Sequence, residues 1–214
     1  MRGPNPSSKG RSSRALAWIA GALMLGCAPE VTYPGTEVMG TYAFSAQAPV
    51  ADVPGCALLD PEVGGVADGF DFEAVLSRDK DAGAAWFTLR ETSHPASFDG
   101  QVFRVTSIAP RRFPSCVPAD APERVECADV QVEETLEVAL LSRSQNDALD
   151  GRCPEGAPEI GIPLPDGETL TAPDTTPTGF DAVRVCGRMV DRIIPVEGCC
   201  APCSVTHRIQ GVRR

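Results

Sequence analysis

Residues 70–77 read Phe-Asp-Phe-Glu-Ala-Val-Leu-Ser, so Phe70, Phe72, Ala74 and Leu76 alternate with Asp71, Glu73, Val75 and Ser77. Successive side chains of an extended chain point to opposite faces, so this alternation makes one dry face and one wetter face. Past the loop Arg78–Gly83, the segment Ala84–Glu91 (AAWFTLRE) supplies the return strand of a hairpin. The same period recurs on both sides. Tyr42, Phe44 and Ala46 share one face of a first strand, and Asp99-Gly100 is a turn signal before Gln101–Ile108. Val130, Val132, Leu136, Val138 and Leu140 alternate with Gln131, Glu133, Thr135 and Glu137; residues 130–145 also hold good helix formers, but the long Val-rich alternation favours a strand. Val183, Val185, Met189 and Ile193 alternate with Arg184, Cys186, Arg188 and Arg192, and Ser204–Val212 is a short last strand. That makes about seven strands with no helical crossover between them. The fold predicted is all-β: an antiparallel β-sandwich or small β-barrel with long Pro/Gly-rich loops. Residues 151–179 form the longest irregular stretch, with six prolines.

Composition narrows the function classes. The 214 residues carry a net charge of −10 with 43% hydrophobic residues, 20 Gly and 20 Pro. The apolar content is too high for wholesale disorder, and the acidic balance lacks the basic footprint of a nucleic-acid binder. No apolar run reaches the roughly 18 residues of a spanning helix.

The N-terminus reads as an export signal. Arg2, Lys9, Arg11 and Arg14 precede the apolar stretch Ala15–Leu25, and Gly26-Cys27 follows. Leu23-Met24-Leu25-Gly26-Cys27 resembles a bacterial lipobox, with Met24 where Leu is usual and Leu25 where Ala or Ser is usual. The resemblance implies that Cys27 becomes the lipid-bearing (palmitate-type) first residue of the mature chain. It also implies that the protein sits in a bacterial cell envelope, membrane-held by that lipid. Ala28 rather than Asp after the cysteine points to the outer membrane. The organisation expected is a cleaved signal (1–26), a lipidated tether (27–37) and one all-β domain (38–214). Removing 1–26 takes away four basic residues and leaves 15 basic and 29 acidic ones.

Cysteine usage agrees with export. Beyond Cys27 there are eight: Cys56, Cys116, Cys127, Cys153, Cys186, Cys199, Cys200 and Cys203. An even set in an exported chain reads as a disulfide framework, with 105 connectivities open. The local expectation is Cys116–Cys127, because a loop between neighbouring antiparallel strands brings its own ends together.

Candidate chemistry is sparse. Cys200-Ala201-Pro202-Cys203 looks like the redox CxxC of thioredoxin-like proteins, but that chemistry needs a helix N-terminus and the chain here reads as strand. Cys186, Cys199, Cys200, Cys203 and His207 offer one cluster of zinc-ligand types where a strong signature has two. Asp79-x-Asp81-x-Gly83 starts like a calcium loop, yet Arg90 stands where the bidentate Glu belongs, so it reads as a hairpin tip. His94, before Pro95, is expected in an exposed loop. His207 shares a face with Val205 and Ile209 and is expected to be partly buried and satisfied. No G-x-S-x-G elbow or H-E-x-x-H appears, so no enzyme, metal or cofactor is assigned. Cross-strand ion pairs are expected between Arg184, Arg188, Arg192 and Glu133, Glu137 if their strands adjoin.

The reading is therefore a non-enzymatic envelope lipoprotein with a structural or protein-interaction role. The alternative is a small-ligand-binding β-barrel: Gly40-Thr41-Tyr42 resembles the opening Gly-x-Trp of lipocalins. Third comes a redox protein acting through Cys200 and Cys203. Cys27→Ala is expected to abolish lipidation and membrane retention, read by detergent-phase partitioning; equal aqueous partitioning of both proteins after export would refute the lipid anchor.

Overall fold

The computed structural model describes residues 32–63, 65–116, 123, 125–154, 175–176, 179–194 and 200–214. The strands are β1 (Glu37–Ala46), β2 (Val50–Ala51), β3 (Phe70–Arg78), β4 (Ala84–Leu89), β5 (Thr92–Phe98) and β6 (Val102–Cys116). They continue with β7 (Val125–Ser142), β8 (Thr175–Thr176), β9 (Gly179–Phe180), β10 (Ala182–Ile193) and β11 (Ser204–Arg213). Eight of them run β1-β3-β4-β5-β6-β7-β10-β11, each antiparallel to the next, and β11 pairs back onto β1. The molecule is thus a closed barrel in which chain order is wall order, with β2 added at the start of β11. Of the two architectures open to the sequence, the barrel is the one formed.

The expected strands are present, and one more lies between them. Residues 92–97 pair with β4 throughout, from Leu89↔Thr92 to Ala84↔Ser97. Pro95 hid this strand, since proline has no ladder N–H to give. The physical consequence is visible on the other side: pairing of β5 with β6 begins only at Ala96↔Val105 and ends at Phe98↔Phe103. The stretch 125–142 is strand, as the alternation predicts, and a short helix α1 (Arg143–Ala148) follows it. Ser142 stops the strand by capping that helix, its side chain accepting from Gln145 N–H while the Gln145 side chain accepts from Ser142 N–H. A register shift between Ala182 and Arg184 corrects the predicted phase of β10, placing Ala182 rather than Val183 in the core.

The inward faces fill one end of the barrel. Met39, Tyr42, Phe44, Leu76, Phe103, Leu140, Phe180 and Ile209 are buried in one cluster. An eight-stranded barrel is narrow enough for side chains to occupy its interior. Phe180 and Phe98 close this end, with the Arg78 guanidinium 5.3 Å and 5.6 Å from their ring centroids and bonded to Glu37 at 2.5 Å. Tyr42 donates to the Ala182 carbonyl at 3.1 Å; burial pushes its phenol pKa up, against the pull of Arg213. Gly40, at φ +148°, leaves the room that Arg213 needs beside Tyr42: an added Cβ would stand 3.0 Å from Arg213 Nε.

The opposite end is capped by a second apolar cluster built on two disulfides. Cys56–Cys203 ties the β1–β3 connection to the chain before β11, and Cys116–Cys200 ties the far end of β6 to the same segment. Leu58, Phe113, Val130, Val132, Ile193 and Val205 pack around them. Cys153–Cys186 fixes the chain after α1 to the outside of β10. The Cys116–Cys127 expectation is thereby overturned. Cys127 lies in β7 opposite Phe113, two residues past the partner position of Cys116, so the two cysteines stand on one long ladder rather than at the two ends of a loop. The Cys127 side chain and all of Cys199 lie outside the described residues, as does most of 151–179.

The outer face of β6, β7 and β10 carries the expected ion pairs in register: Arg188 to Glu137 at 2.8 Å and Arg192 to Glu133 at 2.9 Å, with Arg104 reaching Glu137 from β6 at 3.1 Å. Arg184 instead donates to Asn146 of α1 at 2.7 Å. At the β5–β6 turn, Asp99 accepts from Val102 N–H at 2.8 Å and Gln101 N–H at 3.0 Å, and pairs with Arg104 at 2.9 Å.

Two predictions follow from this framework. Mapping linked peptides of the unreduced protein is expected to give Cys56–Cys203, Cys116–Cys200 and Cys153–Cys186, with none of these six thiols free to label. Asp99 has the second role to test: burial opposes its ionisation, but the Val102, Gln101 and Arg104 hydrogen bonds outweigh that and hold its pKa below the usual value. A depressed folded-state pKa adds stability above the ordinary Asp pKa of about 4 that is lost as pH falls through the folded value. Asp99→Asn should therefore destabilise by on the order of 0.5–1 kcal/mol near neutrality, after solvent screening, and by less as pH falls through the lowered folded-state value. Urea melts at several pH values check it.

Candidate functional site

Between the two apolar clusters the inward face turns polar. Along β7 the inward positions run Val130, Val132, Glu134, Leu136, Val138 and Leu140, with an acid where the pattern calls for an apolar residue. Glu134 stands opposite Ser107 of β6 and opposite Asp191 of β10. Asp191 in turn adjoins β11, where His207 follows Val205 on the same face. Ser107, Glu134, Asp191 and His207 thus form a band across three adjoining sheet pairings, below the cap and above the packed floor.

His207 is 1% exposed. Its ring meets Phe70 edge-to-face at 5.3 Å, and Nδ1 lies 3.1 Å from the Gln47 carbonyl. A carbonyl only accepts, so Nδ1 carries the proton and donates. In the neutral ring Nε2 is then a lone pair, and it faces Asp191 Oδ2 at 3.7 Å, beyond hydrogen-bond range. Asp191 Oδ1 is buried and has no partner among the described residues. Glu134 is bonded to Arg111 at 2.7 Å and lies 3.4 Å from the Ser107 hydroxyl. The side chains of Asp191 and Glu134 keep 17% and 32% exposure although they point inward.

That exposure has a structural cause. Beyond Val105, β6 has only β7 beside it among the described strands, because its pairing to β5 stops at Ala96. The wall is thus interrupted at the level of the polar band. Half-buried apolar side chains share the space: Phe70 and Phe72 on β3, Leu89 on β4 and Met189 on β10. Phe72 stacks on Phe44 of the floor with centroids 4.7 Å apart. The residues between floor and cap, here called the cup, have aromatic side chains below and acceptors along one side.

The residues singled out from sequence fall unevenly on this cup. His207 belongs to it and is more buried than expected. His94 is not in an exposed loop: it lies on β5 opposite the inward-facing Phe87 and is half-buried. Cys200 and Cys203 are each bonded elsewhere, to Cys116 and Cys56, and Cys186 to Cys153. The redox CxxC reading is corrected accordingly, and sulfurs held in these disulfides offer no thiolate to zinc. Asp79 and Asp81 form a hairpin tip, the Asp79 carboxylate accepting from Asp81 N–H at 3.3 Å. Glu134, Asp191 and Ser107 were missed. The available signal was the acid interrupting an alternating apolar run, at 134 and again between Met189 and Ile193. Comparison with family models, with curated proteins and with solved structures finds no match to this chain.

Proposed function

We propose that this chain is an exported, lipid-anchored β-barrel that holds a small amphiphilic molecule in the cup below its disulfide-stapled cap. One observation carries the reading: a polar band with an unpartnered carboxylate oxygen inside a closed barrel, between two well-packed apolar clusters. Burying such an oxygen without a donor costs on the order of 1–3 kcal/mol, so a barrel serving stability alone would carry an apolar residue there. The half-buried Phe70, Phe72 and Met189 supply the apolar contact that a ligand body needs. A closed barrel is compatible with this reading, which needs in addition an interior with room for a ligand. Three disulfides support an oxidising compartment, and the lipobox-like Cys27 supports the anchor.

Nile red, a neutral fluorophore, tests the cup. Saturable one-to-one enhancement is expected with the mature protein. Ser107→Trp, which places an indole on the same inner face, should weaken it at least tenfold with an unchanged circular dichroism spectrum. Absence of saturable binding, or equal binding by the filled variant, would return the protein to an interaction role.

A further inference from the structure

A lipid on Cys27 would hold the barrel to a bilayer, and the face that the barrel turns toward that bilayer is a separate matter that rests on the anchor. We infer that the barrel lies on a zwitterionic phospholipid surface through the outer corner of β1, β3 and β4, with Trp86 and Tyr33 at the membrane–water boundary.

The first constraint is reach. The chain before β1 is docked on the outside of the barrel: Thr36 N–H donates to the Arg78 carbonyl at 3.0 Å, and Lys80 N–H donates to the Thr36 hydroxyl at 3.2 Å. A Cβ on Gly35 would run into the Arg78 carbonyl and stand 2.9 Å from Trp86 Cζ3, so the backbone there lies flat against β3 and β4. Tyr33 is six residues past Cys27, and six residues span at most about 20 Å fully extended. A lipid on Cys27 therefore keeps this corner close to the bilayer.

The second constraint is what the corner is made of. Past Cys27, Trp86 is the one tryptophan, Lys80 the one lysine, and Tyr33 the one tyrosine besides the core residue Tyr42. Val38 of β1, Ser77 of β3, Trp86 of β4 and Pro95 of β5 stand in one register row. The row faces outward, since Leu76, Ala85 and Phe87 point into the core from the neighbouring positions. Val38 is 48% exposed, Pro95 is exposed, Tyr33 and Trp86 are half-buried, and Ser77 is buried between its neighbours. With strands about 4.8 Å apart, the row is roughly 15 Å wide. Indole and phenol rings join an apolar body to a polar edge, which suits the headgroup boundary. Lys80 is exposed at the adjoining hairpin tip, where its apolar stem lets the ammonium reach a lipid phosphate. Asp79 and Asp81 share that tip, and residues 27–214 hold 29 acidic against 15 basic residues. Contact thus comes from apolar burial rather than attraction to anionic lipid, hence a zwitterionic surface. The far wall, β7 and β10, presents the Arg188–Glu137 and Arg192–Glu133 pairs outward and suits water.

Trp86 is its own reporter. The lipid-bearing mature protein is reconstituted on phosphatidylcholine vesicles with and without bromine on the acyl chains, and flotation of the protein with the vesicles is read beside indole emission. Bromine is expected to quench Trp86 roughly twofold. Val38→Glu, at an exposed site, should restore most of the emission while the protein still floats. Trp86→Phe combined with Val190→Trp moves the indole to the outer face of β10 and should make emission indifferent to bromine, with circular dichroism unchanged in both variants. Floating protein with an unquenched Trp86 overturns the assigned face and leaves the anchor standing; sedimentation as a dimer would then mark the corner as an interface between copies. Quenching that Val38→Glu does not relieve, or equal quenching from positions 86 and 190, overturns the face as well. Protein that does not float removes the anchor, and the orientation with it.

Discussion

Everything in this molecule depends on the pairing of its first and last long strands. Tyr42 through Ala46 lie in register with Arg213 through Ile209, and this ladder turns a meandering sheet into a barrel. Without it, β1 and β11 would each present a row of unpaired backbone groups, and the inward faces would have no opposite wall. Closure also explains the small residues at the seam. A Cβ at Gly211 would stand 2.6 Å from Val185 Cγ2 and 3.2 Å from the Phe44 ring, so glycine there is what lets Phe44 occupy the floor.

Closure by itself would leave two open mouths, and the two ends are handled by different physics. At one end large side chains seal the bore, with Arg78 held over Phe98 and Phe180 and countered by Glu37. At the other, covalent bonds do the work: two disulfides converge on the short segment 200–203 and draw the β1–β3 connection and the β6–β7 hairpin over the barrel. With a modest aromatic content, a chain of this kind gains much from such cross-links, which restrict the unfolded chain more than they add native contacts. The cost falls on the CxxC sequence, whose sulfurs are committed to separate partners.

The band between these ends is where the two requirements meet. Floor and cap are dry, and the wall beside them is interrupted because Pro95 delays the pairing of β5 with β6. One proline thus shapes the wall beside the band from a strand that contributes none of its acceptors. The acceptors themselves come from β7, β10 and β11, the longest and most continuously paired part of the wall, which holds them rigidly.

Much of this was legible in the residues. Alternation in 70–77 and 130–142, the Asp99-Gly100 turn and the hairpin at 78–83 fixed strand positions, because a period of two has a single structural meaning when it runs for several residues. The Arg188–Glu137 and Arg192–Glu133 pairs were foreseeable once those strands were neighbours, since both sets sit on outward positions. Tertiary structure alone decided the rest. Sandwich and barrel share one local pattern and differ only in whether the end strands meet. Disulfide partners are chosen by where segments separated by 84 or 147 residues come to lie, which is why Cys116 reaches Cys200 and Cys56 reaches Cys203. Whether Glu134, Asp191 and His207 face water or one another depends on closure too: an inward acid on an open sheet is merely a flaw in a pattern, and becomes part of a site only when a wall stands opposite it.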